Sequence, residues 1–555
     1  MFVRTKKSGP YEYLQVAESF RDGKTVRQRV IATLGRLDVL QATGQLDGLI
    51  ASCGRFATKV SVLDAHRRGD LPAVHTVRIG PPMVFGRLWE DLEIGRIIQR
   101  LLKGRKFEFP VERAVFLTVL HRLFDPGSDR AAEKWRCDYA LEGVGPLELH
   151  HLYRAMGWLG EELPRGAVRR TADRPAVRCT KDLIEEAMFA GHRDLFSGLD
   201  LVFFDTTSIY FEGEGGQSLG AWGHSKDHRG DLKQMVVGAV LDGRGRPICC
   251  QMWPGNTTDV KTLIPVIDRL CERFGIRSVS IVADRGMISR KTILALEQRE
   301  IHYILGVRMR RSKEVNQKVL DAAGDWEQVY GPRHSTKDPC PLDVREVKVG
   351  SRRYVVCRNE EQARKDTADR EAIVAALHEK LKRGDTSLVG NRGYRQYLSL
   401  AAGGKHFQID QAKIERDARY DGLWVLQTDT TASAAEVAVK YKELWMVEST
   451  FRAVKSVLRT RPIYHQCDET IRGHVFCSFL ALVLMKELQD RMARRGWHGE
   501  WGDLRHDLDN VQQIEVRAKG SAFLLRSELR GDAGKAFQAA GVGLPPVVLP
   551  AADQP

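Results

Sequence analysis

Two short apolar runs in this chain of 555 residues each end on an aspartate. Leu201, Val202, Phe203 and Phe204 lead into Asp205, and Val279, Ser280, Ile281, Val282 and Ala283 lead into Asp284. Both runs favour strand and are too short for a helix. A carboxylate at the end of a buried strand is costly to desolvate unless something cationic meets it. A third acidic residue, Glu448, belongs to a stripe of Val437, Tyr441, Leu444, Glu448, Phe451 and Lys455 at steps of three and four. A helix through that stripe turns Glu448 toward the core. Carboxylate oxygens on rigid elements suit a hard divalent cation such as Mg²⁺, with no need for Cys or His. Each residue alone also has a plainer reading: Asp205 as a turn cap, Glu448 as half of an internal ion pair with Lys455.

The elements that must position these residues follow from the pattern around them. After Asp205 comes a glycine-rich loop containing GHSKDHRGDLKQ. His224 and His228 stand four apart there, but Gly223 and Gly230 flank them, so the helix that a zinc pair would need is not expected. QMVVGAVLDGRGRPICCQMWPGN reads as a hairpin turning at Asp242-Gly243-Arg244-Gly245. Asp259 is placed to cap the next helix, which Gly275 closes. The strand ending at Asp284, a helix capped by Ser289 and the strand HYILGVR complete the series. Strand, strand, strand, helix, strand, helix, strand is the ribonuclease H-like order, an α/β fold with a mixed five-stranded sheet. Its first and fourth strands are parallel neighbours, which would bring Asp205 and Asp284 to one place.

The rest of the chain divides around that core. Residues 1–75 read as a small basic α+β module with strands YEYLQVAESF and VRQRVIATLG, and 76–195 as a helical region with Arg165, Arg169, Arg170 and Arg174 in its connections. The core occupies 196–310 and resumes over 431–495 with the Glu448 helix, after a mostly β insertion over 311–430. Residues 496–555 are expected to form a C-terminal helical region with a disordered tail from Gly541. The apolar segment Val475 to Met485 is too short to cross a bilayer and reads as a buried helix.

There are 86 Lys plus Arg against 72 Asp plus Glu, a net charge of +14 that suits a polyanionic partner such as nucleic acid. The ten cysteines show no CxxC spacing, which points to reduced structural thiols in a cytosolic protein.

With the three carboxylates in hand, the chain resembles a bacterial insertion-sequence transposase of the DDE type, and more narrowly the insertion sequence four group, which carries a β-rich insertion before its catalytic Glu. The resemblance covers residues 195 to 490 well and the first 190 more loosely. Tyr441, Glu448 and Lys455 match the spaced Tyr, Arg, Glu, Lys signature of that group, and Asp284-Arg285-Gly286 matches its DRG. Leu444 stands where the signature has Arg, which puts a phosphate contact at that position in doubt. The resemblance implies a two-metal site in which Asp205 bridges two Mg²⁺ ions (Mn²⁺ substituting), Asp284 binds one and Glu448 the other. Two such ions about 3.5–4 Å apart activate the incoming oxygen and stabilise the leaving one. It further implies cleavage that frees a 3′-OH at the element's end, then attack of that 3′-OH on target DNA. Tyr441, Lys455, Arg285, Arg452 and Lys226 are the candidate DNA contacts. The implied partners are the terminal inverted repeats, target DNA and a second copy of the chain on DNA, in the bacterial cytoplasm at the nucleoid, with no membrane. Two other readings use the same residues: a metal-dependent nuclease of the same fold that cuts without joining, and a non-catalytic DNA-binding regulator derived from a transposase.

Overall fold

The apolar run at Leu201 grows into a ten-residue strand, β1 (Leu201–Tyr210), because its antiparallel partner β2 (Gln234–Asp242) pairs with every residue from Val202 to Tyr210. The strand therefore continues past Asp205, where the apolar run ends, to Tyr210. In the computed structural model, residues 1–22, 25–46, 48–50, 75–164, 177–191, 201–276, 279–335, 338–382, 392–400, 407–518 and 521–550 are described. The arginines at 165, 169, 170 and 174 lie outside them. The chain divides into two units, one of residues 77–512 and 529–544, the other of 1–76, 513–528 and 545–555.

The larger unit is built on a mixed α/β sheet. β2 returns as β3 (Pro247–Pro254), closing the expected hairpin. Helix α1 (Leu263–Phe274) then crosses to β4 (Ser280–Ala283), and α2 (Arg290–Glu297) crosses to β5 (His302–Gly306). β4 lies parallel between β1 and β5, so the expected order of elements and the expected parallel neighbours are both present. The sheet is larger than the five strands expected. β6 (Glu327–Tyr330), β7 (Leu342–Val349), β8 (Arg352–Arg358) and β9 (Leu423–Thr428) extend it to nine strands in the order β6-β7-β8-β9-β5-β4-β1-β2-β3. The physical reason is edge pairing. β5 would otherwise expose a row of unpaired backbone groups, and β9 pairs with it antiparallel, Leu426 opposite Gly306. Between β8 and β9 the chain carries α3 (Glu360–Lys382), a helix of 23 residues.

The two faces of the sheet bury different clusters. Val202, Phe204, Ile281 and Ala283 pack with Leu263, Val266, Leu270 and Leu296 of α1 and α2. Phe203, Val282 and Ile304 pack on the other face with Val437 of α4 (Ala434–Lys442) and with Val447 and Phe451 of α5 (Trp445–Arg452). Phe203 and Phe204 are almost wholly buried, and each contributes about 1.5–3 kcal/mol by leaving water. Strand alternation then directs Asp205 with Phe203 and Asp284 with Val282, toward the α4 and α5 face.

The long buried helix α6 (Asp468–Ala493) packs on helices Val111–Phe124 and Leu149–Leu159 in a separate, mainly helical core. Among the described residues no helix is long and apolar enough to cross a membrane. In the smaller unit, strands Phe2–Ser8, Tyr11–Asp22 and Thr25–Arg36 form an antiparallel sheet, the first of them not foreseen. The C-terminal region carries two helices, Trp501–Asp509 and Ala533–Ala540, and strands beside them that were not expected. Gln512–Ala518 and Ser521–Arg526 form a hairpin, and Val548–Pro550 pairs along its second strand in a stretch expected to be disordered.

Candidate active site

Asp205 lies where the two neighbours of β1 part company. β4 ends at Ala283, opposite Phe204, while β2 stays paired with β1 as far as Tyr210. Asp205 is thus paired along one edge only, and its carboxylate, 18% exposed, faces the gap that opens where β4 stops. Oδ1 accepts the backbone N–H of Thr206 at 2.7 Å, and the Lys226 ammonium stands 3.8 Å away. Burial pushes the Asp205 carboxyl up to about 6; Lys226 and the Thr206 N–H oppose the shift, and Asp284 and Asp259 reinforce it. Three acidic groups therefore crowd a place with too little positive charge.

Asp284 is the first residue after β4, level with Asp205 by the parallel register. The Tyr441 hydroxyl, reaching down from α4, donates to Asp284 Oδ1 at 3.1 Å. This reach depends on Gly306 in β5, because a Cβ there would overlap the Tyr441 hydroxyl. Burial and the Asp284 charge raise the Tyr441 pKa, so the hydroxyl keeps the proton it donates.

Asp259 is the acidic residue whose role the sequence reading misplaced. Its side chain does not cap α1, which begins four residues later at Leu263. Instead it accepts the Thr206 hydroxyl at 2.6 Å and stands 3.6 Å from the Lys226 ammonium. Lys226 Nζ also donates to the Thr206 carbonyl at 2.6 Å. Gly286, from the DRG triplet, leaves room for this arrangement, since a Cβ there would lie 3.3 Å from Asp259 Oδ2. One sequence signal for Asp259 was available: a carboxylate in the short loop after a strand, in WPGNTTD.

The signature helix is broken in the structure. α4 ends at Lys442 and α5 begins at Trp445; a wider turn over Ala453–Val457 follows. The stripe assumed one continuous helix, and the break turns Glu448 out, so it is exposed rather than core-facing although α5 packs against β1. Arg452 and Arg285 are exposed as well. Lys455 is not: its ammonium contacts Asp227 at 2.9 Å, and Arg461 meets the same carboxylate at 2.8 Å. His224 and His228 are exposed loop residues.

Among the described residues, Asp205, Asp284 and Glu448 do not gather within 4.8 Å of one another, whereas Asp129, His465 and His474 do. That second cluster already holds a cation. The Arg122 guanidinium lies 2.9 Å from His474 Nδ1, 2.8 Å from Ser478 Oγ and 3.9 Å from Asp129, so it reads as a structural hub. The aspartates at the sheet end fit a hard divalent cation by the chemistry of their donors, carboxylates without thiol or imidazole, and by the ammonium that Lys226 places beside Asp205 and Asp259.

A transposase DDE domain model matches residues 196–484, and a model of the IS1634 family transposase N-terminal domain matches residues 2–64. The probable transposase for insertion sequence element IS5377 of Geobacillus stearothermophilus is 30% identical over 82 residues, a match spanning 15% of this chain and 22% of that relative. Among solved structures, the piggyBac transposase synaptic complex with hairpin DNA aligns over 78% of this chain and 79% of its own, with a TM-score of 0.35 and 11% identity. The Mos1 transposase paired-end complex with left transposon end aligns over 37% and 64%, with a TM-score of 0.14 and 14% identity.

Proposed function

Because this chain belongs to the transposase DDE domain family, we propose that it binds the ends of an insertion sequence, cleaves DNA to free 3′-OH ends and joins them to target DNA. The observation that carries this reading is the pair of aspartates, Asp205 and Asp284, level on adjacent parallel strands and directed to the face that the signature helices cover. In this reading the strand order β3-β2-β1-β4-β5 is a ribonuclease H-like core, and the strands added between it and Glu448 are the insertion of the insertion sequence four group.

Asp205, Asp284 and Glu448 would hold divalent metal, with Mg²⁺ the ion of choice for oxygen donors. Bound there, the metal would polarise the phosphoryl centre and stabilise the oxygen that leaves. The chain's own residues do the remaining work. The Tyr441 hydroxyl fixes one oxygen of Asp284 and so aims the other. Lys226 offsets the charge of Asp205 and Asp259. Glu448 is exposed on α5, and in this reading it joins the aspartates when DNA covers the site. Arg285 and Arg452, exposed near the strand ends and on α5, meet DNA phosphates, and two copies hold the two ends.

The test is Mg²⁺-dependent cleavage and strand transfer on DNA carrying the element's terminal repeats, comparing wild type with Glu448→Gln. Loss of both steps with end binding retained supports the reading. Cleavage that survives Glu448→Gln removes Glu448 from the set. Cleavage without joining by wild type replaces the transposase with a nuclease, and binding without cleavage leaves a regulator.

A further inference from the structure

The loop between β1 and β2 carries two neighbouring charges of opposite sign, Lys226 and Asp227, and the structure sends them in different directions. Lys226 reaches the carboxylates. Its ammonium donates to the Thr206 carbonyl at 2.6 Å and stands 3.8 Å from Asp205 and 3.6 Å from Asp259. Asp227 turns away from them and is buried, its side chain 9% exposed, between Lys455 at 2.9 Å and Arg461 at 2.8 Å. Adjacent Cα atoms are about 3.8 Å apart, so whatever anchors Asp227 also places Lys226.

The anchor is built from several directions. The Lys226 backbone N–H donates to Ser208 Oγ on β1 at 2.8 Å. Arg461 and Arg229 lie over the Tyr210 ring at the end of β1, at 5.4 and 5.2 Å. The Lys455 side chain is 12% exposed, and its nitrogen is engaged with Asp227. A lysine acts on a phosphate as a mobile point charge at the end of a flexible stem. One held by a buried carboxylate is not free to do so, because leaving would strand Asp227 with one cation fewer in a poorly solvated place.

We propose that Lys455 is a positioning residue that acts through Asp227, together with Arg461, to seat Lys226 beside Asp205 and Asp259, and that Lys226 is the lysine that serves the reacting centre. The proposal rests on the reading of Asp205 as part of the catalytic site and differs from the DNA-phosphate role that the sequence resemblance implies for Lys455.

The experiment is a double-mutant cycle on the full-length protein with Lys226→Met and Lys455→Met. Cleavage of terminal-repeat DNA in Mg²⁺ is one readout, and the salt dependence of binding to the same DNA is the other. Each single change is expected to slow cleavage by about 10- to 100-fold, as loss of supporting contacts around a site does. The double variant is expected to be no slower than Lys226→Met alone, since Lys455 would have nothing left to position. Lys455→Arg, which keeps a cation on Asp227, is expected to recover most of the lost rate. The slope of log Kd against log salt is expected to be unchanged in Lys455→Met. Additive losses overturn the proposal, and so does a slope reduced by about one, the mark of a lost phosphate contact. The slope is read without cleavage, so a wild type that fails to cut removes the active-site reading and still decides whether Lys455 contacts phosphate. If Lys455→Met does not fold, the same cycle with Asp227→Asn in its place carries the same expectations for cleavage.

Discussion

Asp205 and Asp129 are both largely buried aspartates beside basic side chains, and their surroundings shift them in opposite directions. Burial acts on both by pushing the carboxyl up. At Asp129 the hydrogen bond from His465 and the charge of Arg122 more than offset it and hold the group at about 2. At Asp205 one partly exposed ammonium at 3.8 Å does not, and two further aspartates press the same way, so the group rises to about 6. The hub around Asp129 is complete: Arg122 meets His474 and Ser478, and burial beside Arg122 keeps His474 neutral by lowering its pKa well below the usual range. The site around Asp205 has an excess of negative charge that a divalent cation would neutralise. Burial is common to both; what sets Asp205 apart as a candidate for function is that its surroundings fail to satisfy it.

Removing the unsatisfied carboxylates should have the largest effect, and on activity. Asp205→Asn or Asp284→Asn is expected to reduce Mg²⁺-dependent cleavage by on the order of 10³-fold or more, with terminal-repeat binding in a gel shift retained. Asp129→Ala should do the reverse. It strips Arg122 and His465 of their carboxylate and is expected to cost about 3 kcal/mol of stability in thermal denaturation. Cleavage per folded molecule should be kept. The Asp129 pKa is lower in the folded chain than the ordinary 3.8, so this contribution is present above about pH 4 and fades as pH falls toward 2.

Asp205→Asn should stabilise the fold even as it abolishes cleavage. The folded-state pKa of about 6 exceeds the ordinary 3.8, so ionising Asp205 opposes folding; that cost is absent below about pH 4 and complete above pH 6. A gain of about 1–3 kcal/mol at pH 7 that disappears at pH 4 is the expected outcome of paired melting curves. A loss of stability at pH 7 would contradict the comparison. The smallest effect is expected from Gly286→Ala. The added Cβ, 3.3 Å from Asp259 Oδ2, should change stability by less than about 1 kcal/mol and slow cleavage several-fold by displacing Asp259. Equal rates for this variant and wild type would remove Asp259 from the site.

Much of this was legible in the chain. The residues Leu201 to Asp205 and Val279 to Asp284, with the hairpin and helices between them, determined a run of elements in which two aspartate-ended strands become parallel neighbours, because apolar runs and turn residues act locally. The spacing of Tyr441, Glu448 and Lys455 likewise marked a helical stretch, which the structure divides into α4, α5 and a wider turn. What lay beyond local pattern was decided by long-range pairing. Nothing near Leu423 shows that β9 would close the open edge of β5 and bring β7 and β8 into the same sheet. A helical period cannot show the break after Lys442 that leaves Glu448 exposed. Asp259 looked like a cap, and the burial of Lys455 against Asp227 went unseen, because a sequence lists charges without their partners. Thr206 and Asp227 become those partners across 53 and 228 residues only when the chain has folded, and a charge is assigned its role by what stands within a few ångströms of it.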